Sequence, residues 1–99
     1  MFKLIKVSGD SMSPTLLDGD ILIITKPRAV GAGFIYVIEH SDLGRIVKRI
    51  DGFDKRGRAI LSGDNPASTP SALLGSVERS RISGRALFAY GKSGFRKLS

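Results

Sequence analysis

Short apolar runs, each ended by turn-forming residues, make up most of the chain. The run at residues 21–25 consists almost entirely of β-branched side chains, which favour strands. No segment repeats its apolar residues with the helical period over several turns. The pattern predicts strands over residues 2–7, 21–25, 34–39, 45–50, 59–62 and 81–90.

Ninety-nine residues suffice for one domain with one modest core, so we expect a single all-β (mainly β) domain over residues 1–99, with little helix. Residues 72–80 fit a helical turn or a loop equally well. The basic tail at residues 91–99 is expected to be loose, because it is polar and rich in glycine and lysine.

One lysine falls on the apolar side of a predicted strand. Strand side chains alternate, so Lys48 shares a face with Ile46 and Ile50, while Arg49 lies on the opposite face. Burial disfavours the charged form and lowers the pKa of a lysine, which then accepts protons near neutral pH. The alternative is that the ammonium reaches water at the sheet edge.

Residues 8–16 combine three serines, a glycine and a proline directly after the first apolar run. Pro14 prevents a regular helix or central strand from continuing through this segment, which leaves Ser11 in a turn. A serine hydroxyl is a weak nucleophile unless a base activates it. Lys48 is the candidate base.

Composition narrows the classes of function. The chain has no cysteine and a single histidine, so we expect no disulfide, no metal and no cofactor. The net charge of +7 is spread along the chain without a helix-turn-helix pattern, which argues against direct nucleic-acid binding. An acidic partner or a peripheral membrane contact remains an alternative. Apolar runs fall far short of the roughly 18 residues of a membrane span, so we expect a cytoplasmic protein.

Several motifs resemble one superfamily of peptidases. Residues 8–12 (SGDSM), followed by PTL and DGD, resemble the nucleophile box shared by LexA/UmuD-type self-cleaving proteins and type I signal peptidases. Residues 35–37 and 46–50 (IVKRI) look like the strand pair whose lysine is the general base in both families. Residues 63–66 (GDNP) are similar to a later loop of signal peptidases, and residues 82–85 (ISGR) to the closing strand of the superfamily. The resemblance therefore spans residues 7–88.

This resemblance implies a LexA/signal-peptidase-like β-fold carrying a Ser/Lys dyad. Ser11 would attack the scissile carbonyl and Lys48 would take its proton, while the backbone amides of Ser11 and Asp10 would stabilise the oxyanion. The resemblance also implies supporting positions at Ser8, Met12, Leu16, Asp64, Ser68 and Thr69. For Asp64 and Asn65, bracing of the loop is favoured over contact with substrate.

Because only ten residues precede Ser11, we expect no upstream cleavage site and no membrane anchor. We therefore expect a minimal catalytic core that cleaves a protein or peptide in trans, after a small residue, as a processing protease. The main alternative is a catalytically silent LexA-like binding or self-association module. Edge strands would pair with substrate or form a homodimer. A Ser-His-Asp hydrolase using His40 is disfavoured, because His40 is expected in an exposed loop.

Overall fold

A computed structural model describes residues 1–98 and shows a mainly β fold, as the sequence predicted, in which the strands form one antiparallel sheet. Its strands are β1 (Phe2–Lys6), β2 (Ile21–Thr25), β3 (Ile35–His40), β4 (Gly44–Phe53), β5 (Ala59–Ser62), β6 (Ser76–Val77), β7 (Ile82–Gly91) and β8 (Gly94–Lys97). Residues 72–80, which the pattern left open, contribute to a short helix α1 (Ser71–Leu74), to β6 and to a 3₁₀ turn (Arg79–Arg81).

The strand order is β1-β2-β7-β3-β4-β5-β6, with β8 hydrogen-bonded to β7 beside this path. Strand β3 occupies an interior position, and its first four residues are all buried. Because the sheet curls, it encloses two apolar clusters. Buried residues of the first include Val7, Met12, Leu16, Leu22, Ile24, Ile35 and Val37, and those of the second include Tyr36, Ile38, Ile50, Leu61 and Leu74.

Strand β4 runs further than predicted. Residues 51 and 52 do not form a turn, because a register shift between Ile50 and Gly52 absorbs one extra residue opposite β5. Strand β7 is irregular at Gly84: the register with β3 shifts there, and a Cβ at Gly84 would clash with the side chain of Ile24. The longer β4 carries Lys48 near its middle.

The expectation of a loose tail is wrong for residues 94–97, which form β8 against β7. The rings of Phe88 and Phe95 stack with their centroids 5.2 Å apart. Arg96 forms an ion pair with Asp20, which is 2% exposed. Burial alone would raise the pKa of Asp20, but the Leu17 N–H and the Arg96 guanidinium together hold it below its usual value. Ser99, also placed in that tail, lies outside the described residues.

Several large apolar side chains on the outer side of β1, β7 and β8 face water, among them Phe2, Leu4, Tyr90 and Phe95. Such a face is where a homodimer or a membrane contact would form, and both stay predictions. No helix within residues 1–98 has the length and hydropathy needed to cross a membrane.

Candidate active site

Strand β1 leads directly into the loop that carries Ser11, and the turn at residues 18–20 holds this loop in place. The Val7 amide donates to the Asp20 carbonyl (2.7 Å), and the Gly19 amide donates back to the Val7 carbonyl (2.8 Å). The Gly9 amide donates to Asp18 Oδ1 (2.8 Å), with φ of +87° at Gly9, a conformation that favours glycine. These bonds fix where the chain enters the loop.

Within the loop, two local hydrogen bonds form tight turns, one that contains Ser11 and one that follows it. The Ser13 amide donates to the Asp10 carbonyl (3.0 Å) and the Leu16 amide to the Met12 carbonyl (2.9 Å). Met12 and Leu16 are fully buried and anchor the loop in the first apolar cluster. Ser11 is half-buried above them.

Lys48 is buried on β4, with only 5% of its surface exposed. Burial lowers the pKa of Lys48 below its ordinary value, and no neighbouring carboxylate among the described residues opposes this shift. The lysine is therefore the kind of side chain that the alternation of residues 46–50 indicated, a desolvated amine.

Ser11 and Lys48 line the same pocket, which has a volume of about 230 Å³. The end of β1 and the beginning of β4 form two of its walls, and α1 contributes a third. The other lining residues are Ile5, Lys6, Val7, Ser8, Met12, Leu43, Arg45, Ile46, Val47, Thr69 and Leu74.

The loop after β5 braces the backbone around Ser11. The Asn65 amide donates to the Ser11 carbonyl (2.9 Å), and the Asn65 side-chain amide donates to the Asp10 carbonyl (2.9 Å). Gly63 packs so closely that a Cβ there would lie 2.5 Å from the Ser11 carbonyl oxygen. The loop at residues 63–65 thus fixes two consecutive peptide groups, the bracing role that the sequence favoured for Asn65.

Asp64 fastens this loop to the sheet. Arg49 donates to both carboxylate oxygens, Nε to Oδ1 (2.8 Å) and Nη2 to Oδ2 (2.7 Å), and the Thr15 hydroxyl donates to Oδ2 (2.6 Å). The hydrogen bond from Arg49 is the main cause that holds the pKa of Asp64 below its usual value. Arg49 is half-buried and ties β4 to both loops, rather than being a solvated cation.

The remaining predicted positions divide between pocket and support. Ser8 and Thr69 line the pocket. Ser68 lies behind Gly63, and its amide donates to the Asn65 carbonyl (2.9 Å), so it supports the bracing loop. Leu16 is a core residue that does not line the pocket.

The backbone amides of Asp10 and Ser11 donate to no acceptor in the part of the chain that the structure describes. Their carbonyls, by contrast, accept hydrogen bonds from Asn65. An unpaired amide beside a nucleophile is the donor that a developing oxyanion needs. The geometry therefore leaves these amides available for the role that the resemblance implies.

The expected exposure of His40 is wrong. Its ring is 8% exposed, Nε2 lies 2.9 Å from the Leu74 carbonyl oxygen, and Nδ1 accepts from the amides of Asp42 (3.1 Å) and Leu43 (3.2 Å). The ring is absent from the lining of the Ser11 pocket. His40 is therefore a buried structural residue, and the case against a Ser-His-Asp site holds for a different reason than exposure.

Sequence reasoning missed the pocket walls at Leu43 and Leu74 and the anchoring role of Arg49. The two leucines come from separate segments, and only the folded chain shows that both border one pocket. The sequence did offer a signal for Arg49. The residue lies in a predicted strand next to a buried position, where a charged side chain requires a partner of opposite charge.

A serine on a braced turn and a buried lysine line one pocket of a curled β-sheet, an arrangement that fits a serine peptidase-type fold. The sequence model of one family, described as Peptidase S24-like, matches residues 2–87. The chain belongs to this Peptidase S24-like family. A search of curated proteins finds no match.

Proposed function

We propose that the protein is an endopeptidase that cleaves a protein or peptide in trans with a Ser11–Lys48 dyad. One observation carries the proposal: both residues line one pocket, and the lysine is buried with a lowered pKa. Membership of the Peptidase S24-like family supports it.

In the first half of the reaction, neutral Lys48 takes the proton from the Ser11 hydroxyl as Oγ attacks the scissile carbonyl carbon. The Ser11 amide, with that of Asp10, donates to the oxyanion that forms on the carbonyl oxygen. When the C–N bond breaks, the Lys48 ammonium gives its proton to the leaving amine, and an acyl-enzyme on Ser11 remains.

In the second half, Lys48 takes a proton from water as the water oxygen attacks the acyl carbon. The tetrahedral intermediate collapses, Ser11 Oγ leaves and regains a proton from Lys48, and a carboxylic acid product departs. Lys48 is neutral again at the end, so no other base is needed. Met12 and Ile46, which border the pocket, limit the access of water to the amine.

The substrate we propose is an extended peptide with a small residue before the cut. The pocket volume of about 230 Å³ is below the range of roughly 300–1,000 Å³ that is typical of small-molecule sites. Strand β1 is an edge strand whose end borders the pocket, so a peptide can add to it as a further strand. Residues 2–6, which lead into the Ser11 loop, are held in the β1–β2 ladder, and this favours a substrate supplied by another molecule.

The test is cleavage of a diverse peptide library, with the cuts mapped by mass spectrometry at several pH values. Wild type is compared with Ser11→Ala and Lys48→Ala. We expect cuts after small residues that increase with pH, because only neutral Lys48 acts as a base, and that disappear in both variants.

Ser93→Ala and Lys6→Ala are the matched controls: Ser93 is an exposed serine outside the pocket, and Lys6 lines the pocket but has no role in the chemistry. They should retain cleavage within a few fold. If Ser11→Ala makes the same cuts as wild type at the same rate, Ser11 is not the nucleophile and the proposal is refuted. A complete lack of cutting by a folded wild type would favour the binding module.

A further inference from the structure

His40 connects two walls of the pocket without lining the pocket itself. Strand β3 ends at His40, and its ring lies between the β3–β4 turn and the end of α1. Leu43 belongs to the turn and Leu74 to the helix, and both side chains line the pocket that holds Ser11 and Lys48.

The hydrogen bonds assign the tautomer of this ring. Nδ1 faces the amides of Asp42 and Leu43, which are both donors, so Nδ1 carries the lone pair. The proton of the neutral imidazole is then on Nε2, which donates to the Leu74 carbonyl at 2.9 Å. Both ring nitrogens have partners, and each partner lies in a different pocket wall.

We propose that His40 is a specificity-determining positioning residue: through Leu43 and Leu74 it sets the width of the apolar side of the substrate pocket. This inference rests on the proposed peptidase function. Leu43 is 56% exposed, so this wall is held by the β3–β4 ladder at the base of the turn and by the hydrogen bonds from the turn to the ring. Leu74 is buried, and its carbonyl is fastened by the same ring.

Two conservative substitutions of His40 separate its contact with the β3–β4 turn from its contact with the Leu74 carbonyl. In His40→Asn, the side-chain oxygen can still accept the amides two and three residues ahead, as in an Asx turn, but nothing reaches Leu74. In His40→Gln, the longer side chain places an amide N–H towards the Leu74 carbonyl and gives up the acceptor at the turn. His40→Ala loses both.

Hydrogen exchange measured by mass spectrometry tests the contacts of His40 with the β3–β4 turn and with Leu74, and it does not depend on catalysis. We expect His40→Asn to lose protection in the segment around Leu74 while the β3–β4 turn keeps it, and His40→Gln to show the reverse. Leu73→Ala is the control, because Leu73 is 77% exposed beside Leu74 and does not line the pocket.

Cleavage of the peptide library by each variant measures the effect of His40 on substrate specificity. One neutral hydrogen bond corresponds to a change of roughly two- to tenfold, so each variant should raise KM by that factor at nearly unchanged kcat. The preference for a small residue before the cut should weaken in parallel, because the wall that excludes larger side chains is released. His40→Ala should show the largest effect.

Unchanged cleavage profiles in variants with altered exchange would overturn the proposal, since His40 would then be only structural. A fall in kcat at constant KM would overturn it too, because the ring would be affecting the reacting groups. If wild type cuts nothing, the proposed function and the specificity role fail together. If His40→Asn and His40→Gln lose hydrogen-exchange protection in the same segments, the connection between the two pocket walls is refuted. That outcome does not bear on the proposed peptidase function.

Discussion

Replacing Lys48 by methionine should make the protein more stable and inactive. Methionine matches the unbranched shape of lysine, so the substitution removes a buried charge without opening a cavity at a site that is 5% exposed. Replacing a buried ion pair by apolar residues of similar volume can stabilise a protein by about 1–4 kcal/mol, and for the single buried charge of Lys48 we expect about 1–2 kcal/mol at neutral pH. For a domain of this size, that corresponds to a rise in Tm of roughly 4–8 °C per kcal/mol.

The stability gained by Lys48→Met depends on pH, and it should decrease as the pH rises. Burial lowers the pKa of Lys48 in the folded state, while an unfolded lysine titrates at about 10.4. Below the lowered folded pKa both states hold the proton, and the wild type bears the full cost of the buried charge. As the pH rises from the folded towards the unfolded pKa, the unfolded state holds more protons, so wild-type stability increases. The advantage of Lys48→Met therefore shrinks across that window.

The assay is urea unfolding followed by circular dichroism from about pH 6 to about pH 10, which brackets most of the window below the ordinary lysine pKa. Lys6→Met is the control, because Lys6 lines the same pocket but is exposed. Lys48→Met that is no more stable than wild type at neutral pH would refute the reasoning. A stability difference that does not change with pH would refute it as well, since the ammonium would then be solvated and Lys48 a poor base.

Two further substitutions test the support of the nucleophile loop. Gly63→Ala places a methyl carbon 2.5 Å from the Ser11 carbonyl oxygen, so the loop must shift, and we expect cleavage to fall up to about 100-fold. Gly52→Ala, whose Cβ meets nothing within 4 Å, should leave cleavage unchanged in the same assay, and equal activity of both variants would contradict this account. Asp64→Asn should lower the free energy of unfolding by about 1–3 kcal/mol, because the partly buried Arg49 loses its carboxylate partner. Since the pKa of Asp64 is lowered in the fold, the wild-type advantage in urea unfolding should persist above about pH 4 and disappear as the pH falls through the folded pKa; an advantage that survives full protonation would contradict the assignment.

The sheet was predictable wherever a strand carries its own local signal. The predicted bounds of β2 and β5 match the structure, because each is a run of strand-forming residues between clear turns. Lys48 stood out for a related reason: period-two alternation alone places it among isoleucines. Local pattern therefore gave both the scaffold and the candidate base.

What the sequence did not reveal depends on partners distant along the chain. Strand β8 is short and basic, and it is ordered by pairing with β7 and by the contact between Arg96 and Asp20, 76 residues earlier. The burial of His40 likewise requires the carbonyl of Leu74, 34 residues later. Neither separation has a periodicity that a sequence window can detect.

The ion pair between Asp20 and Arg96 also has a consequence for synthesis on the ribosome. Asp20 lies beside the loop that carries Ser11, and its buried carboxylate is neutralised by Arg96 in strand β8. An uncompensated buried charge costs about 3–5 kcal/mol, a large share of the roughly 5–15 kcal/mol that stabilises a typical domain. A nascent chain that has not yet released residue 96 therefore holds the Ser11 loop only weakly, and the site becomes stable only once Arg96 can reach Asp20.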